Sequence, residues 1–148
     1  MTISAKRIKM IRIVLDTNVL VASISRQSPF HWVWQAFLQG KYKLCITTDI
    51  LNEYAEIIER YFSVIDAEYT LTQIMLHQNT VQIIRYYEWN IIERDPDDNK
   101  FFDCAVAANA DYIVSEDKHF DILANIGFPS VSAIKVSEFK QIIENVRQ

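Results

Sequence analysis

The sequence predicts a three-layer α/β/α fold with a central, mostly parallel β-sheet. Short β-branched apolar runs, such as 10–15 and 112–114, alternate with longer segments whose apolar residues recur at helical spacing. Strands that are separated by helices are typical of this fold class. Half of the residues are apolar and glycine and proline are rare, so the composition predicts one compact domain over 1–148.

The first half of the chain predicts two strands and four helices. The β-branched apolar runs give the strands, and apolar residues at helical spacing give the helices. Gly40 marks a helix end, and Thr47 or Thr48 is placed to cap the next helix. In chain order, the predicted elements are strand 10–15, helix 19–24, helix 30–38, strand 44–46, a capped helix that continues to 61, and helix 66–78.

The second half predicts at least three strands and three helices. The run from Asp95 to Asp98 has the composition of a helix start, with an Asx cap, a proline in the first turn and acids at the positive end of the dipole. Of two strand-like runs, 81–84 and 90–92, one is expected to be the third strand. The remaining predicted elements are helix 95–109, strand 112–114, helix 120–125, strand 131–134 and a helix from 138.

The composition narrows the classes of function. A formal net charge of −4 disfavours a simple electrostatic nucleic-acid binder, although carboxylates whose charge a metal cancels still count in this sum. Basic residues are concentrated in 1–9, which is a candidate flexible basic arm. Only two glycines are present, which excludes a phosphate-cradling P-loop and a dinucleotide-binding fingerprint.

Cysteine usage and the start of the chain indicate a cytoplasmic protein. Cys45 and Cys104 both lie in apolar contexts, so we expect buried free thiols, which suits a reducing compartment. Arg12 and Asp16 interrupt the apolar run near the N-terminus. Neither a signal peptide nor a membrane span is therefore predicted.

Acidic residues set apart in sequence carry the functional prediction. Asp16 follows the first predicted strand, and Asp117 follows the strand at 112–114 after Ser115 and Glu116. Ligand sites of open parallel sheets form outside the carboxyl ends of the strands, so these two carboxylates are expected to meet in one crevice. Crowded carboxylates repel one another unless a cation lies between them, and oxygen ligands suit Mg²⁺ or Mn²⁺. This pattern points to metal-assisted cleavage of a phosphodiester.

Each candidate residue also has a purely structural interpretation. Asp16 is expected to need a partner near a buried strand, but it is also placed to cap the next helix. Asp103 lies in an apolar helix and is either functional or on a solvated face, and Asp117 is also an N-cap candidate. Asn18 orients Asp16 or forms a turn. Helix-start chemistry alone accounts for Asp98.

Other chemistries fit the sequence less well. His31, His77 and His119 lack metal-ligand spacing, so we expect surface or packing roles for them. A haloacid-dehalogenase-like phosphatase needs a second aspartate two residues after the first, where Asn18 stands instead. A binding module without catalysis stays open as an alternative.

Four motifs together resemble the PIN-domain family of small metal-dependent nucleases. The resemblance covers nearly the whole chain, and the order and spacing of the motifs are more specific than any one of them. It is nearest to the bacterial PIN proteins of toxin–antitoxin pairs, of the VapC type. The motifs run from Ile13 to Leu20, from Ile50 to Tyr54, from Asp95 to Ala105 and from Ala110 to Asp117.

The resemblance implies a function and a set of site residues. The acidic pocket it implies, with Mg²⁺ or Mn²⁺ as cofactor, consists of Asp16, Glu53, Asp103 and Asp117. Asp98 is similar to an accessory acid, and Ser115 to the small hydroxyl residue that orients the site. Glu116 departs from the family, which commonly has a small residue there, and adds an acid beside the site.

The implied protein is a metal-dependent endoribonuclease that hydrolyses RNA and leaves a 5′-phosphate and a 3′-hydroxyl. As a toxin of this type it would pair with a cognate antitoxin protein and form a homodimer. The alternative that this family allows is a PIN fold that only binds a protein or RNA partner.

Overall fold

A parallel five-stranded sheet forms the centre of the protein, whose computed structural model describes residues 10–145. The strands are β1 (Arg12–Leu15), β2 (Lys43–Ile46), β3 (Thr80–Gln82), β4 (Tyr112–Val114) and β5 (Ser132–Ile134). They lie in the order β3-β2-β1-β4-β5, and each neighbouring pair is parallel. The predicted three-layer α/β/α fold is confirmed, whereas the candidate arm 1–9 lies outside the described residues.

Helices connect the strands, and several begin where capping chemistry dictates. The α-helices are α1 (Thr17–Ile24), α2 (His31–Leu38), α3 (Thr48–Tyr61), α4 (Val64–Leu76), α5 (Asn99–Ala107) and α6 (Val136–Asn145). The hydroxyl of Ser63 accepts a hydrogen bond from the Asp66 amide at 3.0 Å, so α4 begins two residues earlier than predicted. The segments Pro96–Asp98 and Lys118–Asn125 are 3₁₀ helices, which delays the start of α5 to Asn99.

The strand order reverses at β1. From β1 the chain proceeds to β2 and β3 on one side, and then crosses back to β4 and β5 on the other. Ile13 and Val14 are completely buried, as expected for a central strand that is covered on both faces. Open α/β sheets bind ligands outside the strand ends at such a switch point, so the ends of β1 and β4 are where a site is expected.

The interior holds both cysteines as free thiols, as predicted. Burial raises the pKa of the Cys45 thiol to about 11 and holds the pKa of Cys104 well above its usual range. Thiols of this kind are inert packing groups rather than nucleophiles. Within residues 10–145, no helix is both long enough and apolar enough to cross a membrane.

The chain between β3 and α5 is held by side chains instead of by a strand ladder. Of the two strand candidates, 81–84 overlaps β3 and is confirmed, whereas 90–92 is not a strand. Asn99 accepts a hydrogen bond from the Ile92 amide at 2.8 Å and donates one to the Ile92 carbonyl at 3.0 Å. One turn later on α5, Asp103 accepts a hydrogen bond from the Trp89 amide at 3.0 Å. This face of α5 therefore satisfies backbone groups that a sheet would otherwise satisfy.

We expect Asn99→Ala to lower the free energy of unfolding by about 1–3 kcal/mol, because it leaves buried backbone groups of Ile92 without partners. Urea denaturation measures the loss. Asn52→Ala on the exposed face of α3 is the matched control and should change stability by no more than about 0.5 kcal/mol. Equal effects of the two substitutions would contradict the role assigned to Asn99.

Candidate functional site

Asp16 is the first residue after β1 and is only 6% exposed. Its amide donates a hydrogen bond to the Val114 carbonyl at 3.1 Å, which ties it to the end of β4. Its carboxylate accepts a hydrogen bond from the Ser115 hydroxyl at 2.8 Å, and the same hydroxyl accepts one from the Asp117 amide at 2.9 Å. One serine thus joins the ends of β1 and β4 and fixes the orientation of the Asp16 carboxylate.

The carboxylate of Asp16 lacks the bonds that would make it a helix cap. Although it precedes α1, its side chain makes no capping hydrogen bond, so the capping interpretation is wrong. Burial is the largest cause that raises the pKa of Asp16, and the Ser115 hydrogen bond opposes it. The negative charges of Asp117 and Glu53 raise this pKa further. A buried carboxylate with negative neighbours is an environment that favours a bound cation.

His119 lies among three carboxylates. Its Nδ1 atom is 3.2 Å from a carboxylate oxygen of Asp98, 3.3 Å from one of Asp117 and 3.6 Å from one of Asp95. Burial is the main cause that raises the pKa of Asp98 to about 6, followed by the charge of Asp95, while the His119 contact opposes the shift. The charges of Asp16 and Asp117 add to it, so Asp98 shares one electrostatic environment with both. We call Asp16, Asp95, Asp98 and Asp117 the acidic cluster.

Two members of this group have roles that the sequence did not predict. His119 is exposed at the surface, as predicted, and the 3₁₀ turn that starts at Lys118 also brings its ring to the acidic cluster. Asp95 was expected to cap a helix, and its side chain makes no capping hydrogen bond. Asp117 does cap the 3₁₀ segment through the His119 amide at 2.9 Å, so its capping interpretation is confirmed while it also belongs to the cluster.

Glu53 lies beside Asp16 with both carboxylate oxygens engaged. One oxygen accepts a hydrogen bond from the Lys100 ammonium at 2.7 Å, and the other accepts one from the Thr17 hydroxyl. Glu53 on α3 is thereby linked to the starts of α1 and α5. No sequence pattern indicates these partners, because Thr17 and Lys100 are far from Glu53 along the chain and belong to no motif that would pair them with it.

Asp103, which was predicted to join the pocket, has partners outside the acidic cluster. Its carboxylate accepts the Trp89 hydrogen bond, and burial, with a smaller contribution from Glu88, raises its pKa. Asp103 lies within α5, whereas Asp98 precedes the helix at the end of the 3₁₀ segment. The charges of Asp16 and Asp117 act on Asp98, while Glu88 supplies the charge that acts on Asp103.

Two further residues near the site take no part in the contacts that hold the acidic cluster. Asn18 is exposed in the first turn of α1 and takes no part in the hydrogen bonds that hold Asp16. Glu116 is also exposed, and its carboxylate accepts a hydrogen bond from the Val136 amide at 3.4 Å. The expected extra acid beside the site is thus turned towards the start of α6.

The donor set fits a divalent cation. One ligand atom from each of Asp95, Asp98 and His119 lies within 4.8 Å of the other two, and Asp16 and Asp117 are not part of this closely spaced group. Carboxylate oxygens dominate the surroundings, as Mg²⁺ and Mn²⁺ prefer. Burial and neighbouring negative charges raise the pKa values of Asp16 and Asp98, and a bound cation would favour the ionised form of both carboxylates.

Comparisons with known proteins agree with this architecture. The crystal structure of VapBC2 from Rickettsia felis, bound to a DNA fragment from their promoter, is similar, with a TM-score of 0.58 and 15% sequence identity. The match covers 84% of this chain and 98% of that chain, and at this identity it shows the fold alone. No curated protein sequence matches the chain. The family model of the PIN domain matches residues 12–119, and the chain therefore belongs to the PIN domain family.

Proposed function

We propose that the protein is a divalent-metal-dependent endoribonuclease and the toxin of a toxin–antitoxin pair. The acidic cluster carries this proposal, because it lies at the switch point of a PIN fold. Ser115 contacts both Asp16 and Asp117, and His119 contacts both Asp117 and Asp98. Such a cluster holds a cation that can meet the negative charge of a phosphodiester. RNA is the substrate we assign, from the family resemblance of the motifs.

We assign each residue of the site a separate role. We assign Asp16, Asp98 and Asp117 as the carboxylates that hold Mg²⁺ or Mn²⁺, with Asp95 and His119 at the edge of the same group. A bound ion of this kind lowers the pKa of a water ligand and stabilises negative charge on the phosphate. Ser115 keeps the Asp16 carboxylate aimed into the cluster.

Glu53 belongs to the rim of the site in this proposal. Its two oxygens are occupied by Lys100 and Thr17, so we assign it a positioning role through α1 and α5 instead of direct contact with the ion. The side chains of Lys100 and Glu53 are each only about one-fifth exposed, and Lys100 places a positive charge next to the acids.

The toxin assignment also implies partners. The similar structure is a VapBC2 complex on promoter DNA, which supports a cognate antitoxin for this chain. Large apolar side chains on α4, among them Ile65, Tyr69 and Leu76, are exposed and would be covered by an antitoxin or in a homodimer. The buried free thiols suit a cytoplasmic location.

Asp16→Asn and Asp98→Asn should each slow RNA cleavage at least about 10-fold, because each removes a charged ligand of the ion. A panel of labelled RNAs with Mn²⁺, Mg²⁺ or EDTA measures the rate. Asp103→Asn is the matched control, because the asparagine oxygen can still accept the Trp89 hydrogen bond, and it should cleave like wild type.

A folded wild type that binds Mn²⁺ and leaves every RNA intact would favour the alternative, in which the PIN fold only binds a partner. Loss of cleavage in Asp103→Asn with normal cleavage in Asp98→Asn would contradict the assignment of the ligands.

Without metal, we expect the free energy of unfolding to fall as the pH rises from 3.8, the ordinary pKa of an aspartate, to about 6, the pKa of Asp98 in the folded chain. The folded chain binds this proton more tightly than the unfolded chain, so raising the pH through that window removes stability. Asp98→Asn should therefore gain stability relative to wild type across this window in EDTA. Urea denaturation at several pH values measures the difference, with exposed Asp97→Asn as the control.

Saturating Mn²⁺ should reverse this trend in wild type, because the ion competes with the proton for the carboxylate. The variant should show little stabilisation by the ion. A constant difference between wild type and Asp98→Asn at all pH values would show that Asp98 is not perturbed as described.

A further inference from the structure

Two chain segments run side by side away from the acidic cluster. One leads from Asp95 back to Tyr87, and the other leads from Asp117 forward to Phe128. They meet at the cluster through the contact of His119 with Asp95, and again at the far end, where the Trp89 and Phe128 rings are 6.1 Å apart. We call the line between these segments the seam.

A cleft of about 560 Å³ opens along the seam beside the acidic cluster. This volume is in the usual range for small-ligand sites, about 300–1,000 Å³. Its lining residues are Ile91, Ile92, Glu93, Arg94, Lys118, His119, Asp121 and Ile122. Because His119 belongs both to the lining and to the group around the acidic cluster, a ligand in the cleft would lie next to the bound ion.

The lining of the cleft combines three chemistries. Isoleucine side chains give apolar walls, Arg94 and Lys118 are cationic, and Glu93 and Asp121 are anionic. Two positive and two negative charges do not suit a bare phosphate. A nucleotide fits better, because its base has apolar faces and amino donors for carboxylates, while its phosphate attracts Arg and Lys.

The far end of the seam carries exposed aromatic rings. Tyr87 is 69% exposed and Phe128 is 83% exposed. Both rings pack against Trp89, with 4.7 Å between the Tyr87 and Trp89 centroids. Bases of single-stranded nucleic acids stack on such rings irrespective of sequence. An extended chain from Asp95 to Trp89 spans at most about 20 Å, so the rings lie within a few nucleotides of the cluster.

We propose that the seam binds an unpaired stretch of RNA next to the scissile phosphate, with one base in the cleft and following bases on Tyr87 and Phe128. The inference rests on the proposed function, since it takes RNA as the substrate. A duplex keeps its bases paired and stacked and cannot offer them to the cleft or to the rings. The seam thereby selects single-stranded segments.

Binding is tested first without cleavage. A fluorescein-labelled, mixed-sequence RNA of about 12 nucleotides, within the range that such grooves hold, is titrated in EDTA and followed by anisotropy. Tyr87→Leu should weaken binding about 5-fold or more, as expected when one base no longer stacks. The double variant Arg94→Met with Lys118→Met should reduce the slope of log affinity against log salt by about 0.7 for each phosphate that the protein no longer neutralises.

Matched controls lie on the last turn of α3, away from the seam. Tyr61 is 70% exposed, close to the exposure of Tyr87, and Arg60 is exposed beside it. Tyr61→Leu and Arg60→Met should bind the same RNA like wild type. A duplex of the same length should bind wild type more weakly than the single strand.

Cleavage kinetics separate this inference from the proposed function. With Mn²⁺, Tyr87→Leu at the far end of the seam should raise KM and leave kcat near wild type, because it removes binding at a distance from the reacting atoms. Normal KM in the seam variants of an active nuclease would overturn the seam alone. RNA binding that is weakened by the seam substitutions, in a protein that never cleaves RNA, would overturn only the proposed nuclease function. No RNA binding by wild type, or equally weakened binding in the α3 controls, would also overturn the seam.

Discussion

The rest of the site depends on a carboxylate that is buried at the end of the central strand. Asp16 follows β1, where the strand order reverses, and the surrounding protein raises its pKa by burial and by nearby acids. Two hydrogen bonds oppose this cost, one from the Ser115 hydroxyl, which also holds the end of β4, and one from the Thr17 backbone. The remaining imbalance of charge is what a divalent cation would remove, and it is the physical basis of the proposed nuclease.

Residues at the start of α5 contribute to the site, and other residues of the same helix hold the neighbouring chain. Asp98, just before the helix, joins the acidic cluster, and Lys100 in its first turn pairs with Glu53. Asn99 and Asp103 hold the extended chain at Ile92 and Trp89. That chain then leads to Asp95 and forms one wall of the cleft. The side chains that stabilise the fold here also determine where the edge of the site lies.

Much of the fold and part of the candidate site could be predicted from local sequence. Buried parallel strands have β-branched apolar runs, and residues at their ends, such as Asp16, Ser115 and Asp117, occupy places that topology defines. Asp103 shows the limit of local patterns. Its apolar neighbours indicated a buried functional acid. In the structure its carboxylate accepts a hydrogen bond from the Trp89 amide, which lies in a segment that is not part of the sheet. Sequence patterns do not reveal that pairing.

The other omissions have the same origin. His119 reaches the acidic cluster because a capped 3₁₀ turn follows β4, where the sequence predicted only a helix from 120. Lys100 and Thr17 reach Glu53 because three helices begin or pass at the same edge of the sheet. Contacts between residues so far apart in the chain follow from tertiary packing, and no spacing rule within one element would have found them.

The most direct test of the proposed metal site is a crystal structure of the protein grown with Mn²⁺, with the ion located by its anomalous scattering. We predict an ion held by Asp16, Asp98 and Asp117, while the Asp103 carboxylate stays on the Trp89 amide. An ion held by Asp103, or an acidic cluster that takes up no ion at saturating Mn²⁺, would contradict the proposed site.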